Sequence, residues 1–276
     1  MRCSPFPPIQ PITGGPPRTL SDVKCFLLDM DGTFYLGGQL IDGSLDFIRK
    51  VVDSGRDFMF LTNNSSHNAE FYVKKLAGMG LSIDRRRVMT SGEATCEKLH
   101  ELYPGKRAFV LGNEFLKAEF AEAGIPVDEA HPDIVVIGFD TSLTYAKMQA
   151  VCDFVRAGLP YVATHPDFNC PTETGFMPDI GAIMAFIEAS TGRRPDLIVG
   201  KPHTGIVEAV LRRTGLSVGE LAMVGDRLYT DIETGLRSGM LSILVMSGET
   251  TEEMLAASGT KPDLKFGRLS DMIPLL

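Results

Sequence analysis

Short apolar runs alternate along the chain with stretches in which apolar residues recur every three or four positions. The runs predict buried strands and the stretches predict amphipathic helices. Such alternation is typical of α/β proteins with largely parallel sheets, in which ligands bind outside the carboxyl ends of the strands. The predicted strands are 24–28, 57–62, 107–111, 133–138, 160–164, 197–199, 221–225 and 241–246. The predicted helices are 42–53, 66–79, 114–123, 145–156, 180–190, 204–213 and 231–238.

The order of these elements indicates that one domain is inserted into another. Residues 90–93 look like a loop entering a helix, and a complete set of α/β units follows up to about Ser190. The chain then returns to a strand that ends at Gly200. The layout predicts a core domain of residues 20–90 and 191–276, an inserted α/β domain of residues 91–190, and a Pro-rich extended tail of residues 1–19.

Composition and charge narrow the class of protein. The 276 residues have an ordinary globular balance of 44 % apolar and 22 % charged residues. No apolar stretch reaches the length of a membrane span, and no hydrophobic segment of signal-peptide type stands at the N-terminus. The five cysteines are widely spaced without a CxxC pair, which fits reduced thiols in a cytoplasm. A formal net charge of −8 argues against a nucleic-acid binder. We therefore expect a cytoplasmic protein whose partners include neither membrane nor nucleic acid.

The segment Asp29-Met30-Asp31-Gly32-Thr33 carries the strongest chemical signal. It places two carboxylates at the end of a buried strand, which is costly unless a cation or a proton shares the site. A plain turn remains an alternative, because Asp and Gly are common turn residues. A calcium loop would need Gly at its sixth position and Glu at its twelfth, whereas this segment has Gly32 at the fourth and Leu40 at the twelfth.

Four short motifs occur in order, each where a predicted strand ends. The second and third motifs alone are typical of turns and loops, whereas all four together predict one site at the carboxyl edge of a sheet. The motifs are residues 29–33, Thr62-Asn63-Asn64, Gly200-Lys201-Pro202, and residues 225–231 with the sequence Gly-Asp-Arg-Leu-Tyr-Thr-Asp.

The motif set resembles the haloacid dehalogenase-like (HAD) phosphohydrolase superfamily over about residues 21–276. More narrowly it resembles the NagD-like, para-nitrophenylphosphatase-type branch, also through residues 29–37 and the Ala-Thr-His-Pro-Asp of 163–167. The resemblance implies a Rossmann-like parallel-sheet core with a large α/β cap inserted between the second and third motifs. It also implies a Mg²⁺-dependent phosphatase that forms an aspartyl-phosphate.

The resemblance assigns the acids to catalysis and to metal binding. Asp29 is the matching nucleophile, and Asp31 would protonate the leaving oxygen and then take a proton from water, which requires a raised pKa. Asp29, the backbone carbonyl of Asp31, and Asp226 would hold Mg²⁺. Asp231 would act through water or behind these ligands, although it also fits the N-cap of the following helix.

The remaining motif residues are matched to the phosphoryl group. Thr62 and the backbone N–H of Asn63 would donate hydrogen bonds to it, and Lys201 would supply positive charge. Asn64 would either help in this or only shape the loop. Arg227 would either pair with the acids or lie on the surface.

Substrate choice is expected to lie in the inserted cap near residues 165–178, with Asp167, Asn169 and Glu173 as candidates and His165 as a weaker one. The expected substrate is a small phosphomonoester such as a nucleotide, a sugar phosphate or a pyridoxal phosphate-like compound. Two other hypotheses stay open: a phosphoryl transferase or mutase, and a catalytically idle module that binds a phosphorylated ligand. A homodimer is compatible with the resemblance.

Overall fold

The computed structural model describes residues 19–172 and 175–276. Nearly all of the predicted tail, and Glu173 of the predicted specificity loop, lie outside the described residues. The strands are β1 Cys25–Leu28, β2 Tyr35–Leu36, β3 Gln39–Leu40, β4 Asp57–Thr62, β5 Val88–Thr90, β6 Ala108–Leu111, β7 Ile134–Ile137, β8 Tyr161–Ala163, β9 Asn169–Thr172, β10 Gly175–Pro178, β11 Leu197–Ile198, β12 Leu221–Gly225, β13 Leu241–Val245 and β14 Leu264–Phe266. The helices are α1 Ser44–Asp53, α2 Ala69–Gly78, α3 Ser91–Leu102, α4 Glu114–Glu122, α5 Tyr145–Arg156, α6 Ile180–Thr191, α7 Gly205–Thr214, α8 Glu233–Ser238 and α9 Glu252–Ala257, with a π-helix at Leu228–Ile232 before α8 and a 3-10 helix at Leu269–Leu275.

Within the described residues, six strands form a parallel sheet in the order β14-β13-β12-β1-β4-β5. This sheet confirms the predicted α/β class with parallel strands. Strand β1 lies between β12 and β4, so the carboxyl ends of these three strands stand side by side. Three of the four motifs follow these three ends, which is why the sheet brings them together.

Alternate side chains of β1 enter two different hydrophobic clusters, as expected for a strand buried on both faces. Phe26 and Leu28 pack with residues of α1 and α2 on one face. Cys25 and Leu27 pack on the other face with residues of α3 and α7. The same second cluster includes residues of β6, β7 and β8, so α3 and α7 form a shared hydrophobic layer between the first sheet and a second one.

The second sheet is also parallel, and its strands run in the order β11-β8-β7-β6 over the part of the chain that is described. Its outer face packs against α5 and α6. In the sequence this sheet falls between the second and third motifs, as the fold prediction had it. The predicted domain boundaries themselves stay a prediction.

One predicted strand joins a different sheet from the one expected. Residues 197–199 were assigned to the core domain, but β11 pairs with β8 of the second sheet, and the first sheet resumes only at β12. A two-residue apolar strand has no feature that indicates which of two sheets it will join. Its placement depends on hydrogen bonding to β8, which only the assembled fold reveals.

Several short elements are absent from the sequence-based prediction. The hairpins β2–β3 and β9–β10 were missed because their strands are short and, in β9–β10, largely exposed, so they lack an apolar run. Strand β5 has three residues and α3 follows it directly, and this segment was read as a loop entering a helix. Among residues 19–172 and 175–276, no helix is both long and apolar enough to cross a membrane.

A buried acid stands where the inserted segment leaves the first sheet. Glu119 of α4 is only 3 % exposed, and its Oε1 accepts a hydrogen bond of 2.7 Å from the Thr90 hydroxyl at the end of β5. No partner for its Oε2 exists among the described residues. Burial raises the pKa of Glu119 to about 8, against the hydrogen bond from Thr90.

We predict that Glu119 makes the fold less stable as pH rises from about 5 to about 8. The carboxyl ionises near its ordinary value of 4.5 in the unfolded chain but only near 8 in the folded chain. Over this interval the unfolded state therefore binds fewer protons, and the free energy of unfolding falls by on the order of 3 kcal/mol. Urea denaturation at both pH values should show this fall in the wild type and a smaller one in Glu119→Gln. Glu114→Gln, on the exposed start of the same helix, is the control; equal falls in wild type and Glu119→Gln would contradict the prediction.

Candidate active site

The buried ammonium of Lys201 lies at the centre of the site. Its Nζ is 2.5 Å from Asp29 Oδ1 and 2.6 Å from Asp231 Oδ1, and it donates a 3.1 Å hydrogen bond to the carbonyl of Leu61. All three ammonium protons therefore have acceptors. The two carboxylates outweigh the effect of burial and raise the pKa of Lys201, so this lysine stays protonated.

Asn63 fixes the backbone that carries Lys201. Its Oδ1 accepts a 2.8 Å hydrogen bond from the N–H of Lys201, and its Nδ2 donates to the Lys201 carbonyl at 2.9 Å. The Ser91 hydroxyl in turn donates to the carbonyl of Asn63. The second and third motifs are thus joined by two direct hydrogen bonds, although the sequence separates them by the whole inserted segment.

Asp226 is enclosed beside the end of β1. Its Oδ2 accepts a 2.6 Å hydrogen bond from the N–H of Glu249, and Thr33 lies within 3.4 Å of its Oδ1. A Cβ on Gly32 would stand 2.4 Å from Asp226 Oδ2, so the close approach requires glycine there, as does its φ of +83°. Burial, reinforced by Asp29 and Asp231, raises the pKa of Asp226 to about 8.

Asp29, Asp226 and Asp231 form a carboxylate cluster whose oxygen atoms lie within 4.8 Å of one another. Such a cluster is costly without a cation, and Lys201 contacts two of its three members. Both oxygens of Asp231 already have donors, since Lys201 binds Oδ1 and the N–H of Arg227 donates to Oδ2 at 3.1 Å. The hard oxygen atoms of these acids fit a divalent cation of the magnesium type. Asp231 would lie behind the ligands rather than bind the ion itself.

A cavity of about 180 Å³ opens above these groups. It is lined by Asp29, Asp31, Lys201 and the predicted triplet 62–64, together with Asp167, Asn169 and Arg227. Burial raises the pKa of Asp31, with a smaller contribution from Asp29, in the direction that a general acid needs. The structure therefore brings the predicted catalytic and phosphoryl-binding residues to one cavity, while their individual roles stay predictions.

The structure distinguishes two residues of the second motif loop. Asn64 accepts hydrogen bonds through its Oδ1 from the N–H and the hydroxyl of Ser66, at 2.8 and 2.7 Å. Its own N–H donates to Thr62 Oγ1 at 3.2 Å. These contacts favour the loop-shaping alternative for Asn64 and hold the Thr62 hydroxyl in place.

Asp167 of the inserted segment and Arg227 of the fourth motif meet in the lining of the cavity. Asp167 accepts a 3.1 Å hydrogen bond from Asn63 Nδ2 and lies 3.8 Å from the Arg227 guanidinium. The Arg227 side chain also lies 3.0 Å from Glu249, so it belongs to the site rather than to the surface. His165 is fully buried and pairs with Asp179 at 3.1 Å; it is not part of the cavity lining.

Sequence reasoning missed one wall of the cavity, which comes from α2 and β2. His67, Phe71 and Lys75 lie along α2 and the residue before its N-cap, and all three line the cavity with Tyr35 of β2. Their spacing of four residues directly after the second motif was a signal for a helix face turned towards the site.

Comparisons with known proteins agree with this fold. Residues 26–126 match the family described as haloacid dehalogenase-like hydrolase, and residues 198–272 match the one described as HAD-hydrolase-like. An acid sugar phosphatase of Staphylococcus aureus (strain MRSA252) is 36 % identical over 255 residues, which cover 92 % of this chain and 98 % of the relative. The 5'-nucleotidase YutF of Bacillus subtilis (strain 168) is 33 % identical over 253 residues, with the same coverage.

Solved structures give the same result. A 4-nitrophenylphosphatase from Thermotoga maritima has a TM-score of 0.91 at 47 % identity, covering 92 % of this chain and 98 % of that one. NagD from E. coli K-12 has a TM-score of 0.84 at 30 % identity, covering 90 % and 98 %. The fold, the site and these relatives define a phosphoric monoester hydrolase. The chain belongs to the haloacid dehalogenase-like hydrolase family, which confirms the resemblance drawn from the four motifs.

We predict that Gly225→Ala disables the site without unfolding the chain. A Cβ at this position would meet the Cβ and Cγ of Asp231 at 2.3 and 2.2 Å, so the carboxylate that binds Lys201 must move. Loss of one such charged contact should lower kcat for 4-nitrophenyl phosphate roughly 100-fold or more. Gly219→Ala, where nothing lies within 4 Å of the new Cβ, is the control and should keep its activity. Full activity of a folded Gly225→Ala enzyme would show that the Asp231 position is not required.

Proposed function

We propose that this protein is a Mg²⁺-dependent phosphatase that hydrolyses a small phosphomonoester through an aspartyl-phosphate on Asp29. The observation that carries the proposal is the arrangement at the cavity floor. There the Asp29 carboxylate lies against the Lys201 ammonium, within a cluster of three acids and beside a second, protonatable acid, Asp31. Cation, nucleophile and acid are the groups that phosphoryl transfer to a carboxylate needs.

In the proposed reaction Asp29 attacks the phosphorus atom while Asp31 gives its proton to the leaving alcohol oxygen. The alcohol departs, and Asp31, now a carboxylate, takes a proton from the water that attacks the aspartyl-phosphate. Inorganic phosphate is released and both acids return to their starting states. The raised pKa of Asp31 supports this assignment, because the residue must be protonated when substrate arrives.

The carboxylates of Asp29 and Asp226 and the backbone carbonyl of Asp31 would hold the Mg²⁺. When bound, the ion supplies charge neutralisation and alignment for two anions that otherwise repel each other. Asp231 would not bind the ion directly, because its two oxygens already accept hydrogen bonds from Lys201 and from the N–H of Arg227.

The phosphoryl oxygens would be bound by Thr62 and the N–H of Asn63, and the ammonium of Lys201 would supply positive charge beside them. Hydrogen bonds already hold the Thr62 hydroxyl and the Lys201 backbone, so these donors need little rearrangement when charge develops in the transition state. The cavity of about 180 Å³ supports a small leaving group, since pockets for drug-sized ligands typically start near 300 Å³. Sugar phosphates and nucleotides, the substrate classes in the names of two relatives, and pyridoxal phosphate-like compounds are the candidates.

We predict that Asp29→Asn abolishes turnover. The amide cannot attack phosphorus, so release of nitrophenol from 4-nitrophenyl phosphate should fall at least roughly a thousandfold. Asp46→Asn, an exposed carboxylate on α1, is the matched control and should keep wild-type activity. Rapid quenching of the wild type with radiolabelled substrate should leave label on Asp29. Unchanged turnover in Asp29→Asn would contradict the mechanism. Transfer of the label to an added alcohol in place of water would favour a phosphoryl transferase.

We also predict that Mg²⁺ both activates and stabilises the protein through Asp226. EDTA should stop hydrolysis and added Mg²⁺ should restore it. Because a ligand that binds only the folded state raises the melting temperature, Mg²⁺ should raise Tm of the wild type and of Asp46→Asn, but not of Asp226→Asn. Hydrolysis that survives complete removal of divalent ions would contradict the metal assignment.

A further inference from the structure

One face of helix α2 forms a wall of the cavity that the catalytic assignment does not use. The helix begins at Ala69, after an N-cap at Asn68 whose side chain accepts the N–H of Phe71. His67 precedes this N-cap, and Phe71 and Lys75 lie within the helix. The three residues are spaced four apart, so they fall on one side, and all three line the cavity. The rings of His67 and Phe71 contact each other at a tilt of 30°, with centroids 3.8 Å apart, and give this wall an aromatic surface.

Lys75 differs from the other cationic residues of the cavity in making no ion pair within 4 Å among the described residues, although Asp31 is near enough to attract it. Lys201 is bound to two acids at 2.5 and 2.6 Å, and Arg227 lies 3.0 Å from Glu249. The half-buried ammonium of Lys75 instead stands 3.9 Å above the ring of Tyr35, a cation–π contact, and no hydrogen-bond acceptor for it lies among the described residues.

An ammonium in this position is held at a cost. Burial lowers the pKa of Lys75, which shows that desolvation outweighs the attraction of the nearby Asp31. The cost would be offset by an anion that binds in the cavity and accepts hydrogen bonds from the Lys75 ammonium. The phosphoryl group of the substrate is bound elsewhere in the proposed function, by Thr62 and Asn63 with the positive charge of Lys201 beside them.

We propose that Lys75 binds a carboxylate on the leaving group of the substrate, so that the protein prefers small phosphomonoesters of hydroxy acids. The inference rests on the proposed function and adds a specificity residue to it. A carboxylate is compact and fits a cavity of about 180 Å³ together with a short carbon chain. His67 and Phe71 provide the aromatic surface against which such a chain packs.

The test compares esters that differ in one group. The first pair is 3-phosphoglycerate and glycerol 3-phosphate, and the second pair is 2-phosphoglycolate and 2-hydroxyethyl phosphate; only the first member of each pair carries the carboxylate. Values of kcat/KM are measured with Mg²⁺ for the wild type, Lys75→Met and Lys74→Met. Lys74 is the matched control, because it directly precedes Lys75 on the helix, is exposed, and pairs with Glu70.

The wild type should prefer the carboxylate in at least one pair. Lys75→Met should reduce that preference roughly 10- to 100-fold, mainly through KM, because a hydrogen bond to a charged group is lost. Lys74→Met should leave the preference unchanged.

Other outcomes separate the inference from the function on which it rests. A wild type that hydrolyses 4-nitrophenyl phosphate and the neutral esters without preferring the carboxylate overturns the inference alone, whether or not Lys75→Met folds. An equal loss on both members of a pair, with a shifted pH profile, also overturns it, because Lys75 would then act on Asp31 rather than on substrate. Hydrolysis of no ester by the folded wild type overturns both.

Discussion

The site depends on one buried ammonium, that of Lys201. Taking a lysine and two carboxylates out of water costs several kcal/mol per ion, and the pairing of Lys201 with Asp29 and Asp231 offsets that cost only while all three remain in place. The three groups come from distant parts of the chain: Asp29 follows β1, Asp231 follows β12, and Lys201 follows β11 of the other sheet. A correctly folded first sheet is therefore necessary for the site but not sufficient, because the Lys201 ammonium is carried by the segment that follows a strand of the second sheet.

The shared hydrophobic layer explains how Lys201 is positioned accurately in the site. Helices α3 and α7 bury residues against both sheets in one continuous cluster, so the second sheet sits on the first through packed side chains. Polar contacts then fix the detail: Ser91 at the start of α3 donates to Asn63, and Asn63 binds the backbone of Lys201 on both sides. Packing sets the position of the inserted segment, and these hydrogen bonds align the chemistry.

The sequence predicted the groups whose position follows from strand ends and whose chemistry is distinctive. Asp29, Thr62 and Asp226 stand at the carboxyl ends of three adjacent parallel strands, so the pattern of strands and motifs was enough to predict that they share a site. Other features depend on tertiary packing that pattern does not contain. The acids of α4 look alike in sequence, yet Glu119 is buried while Glu114 is exposed. The role of Lys75 depends on which way α2 is turned. The sheet that β11 joins depends on pairing with a strand 35 residues earlier in the chain, as in the pair of Ile198 with Ala163.

The hydrogen bonds that join Asn63 to Ser91 and Asp167 constrain how new members of this family can arise by recombination. Exchange of residues 91–198 for the matching segment of a relative would change the cavity residues Asp167 and Asn169 while keeping the nucleophile, the acid and the wall formed by α2. The donor segment would nevertheless have to bring its own equivalents of Ser91 and Asp167, since both bind Asn63 across the seam. This part of the cavity lining can therefore be exchanged as a module, but only together with the polar contacts that join it to Asn63.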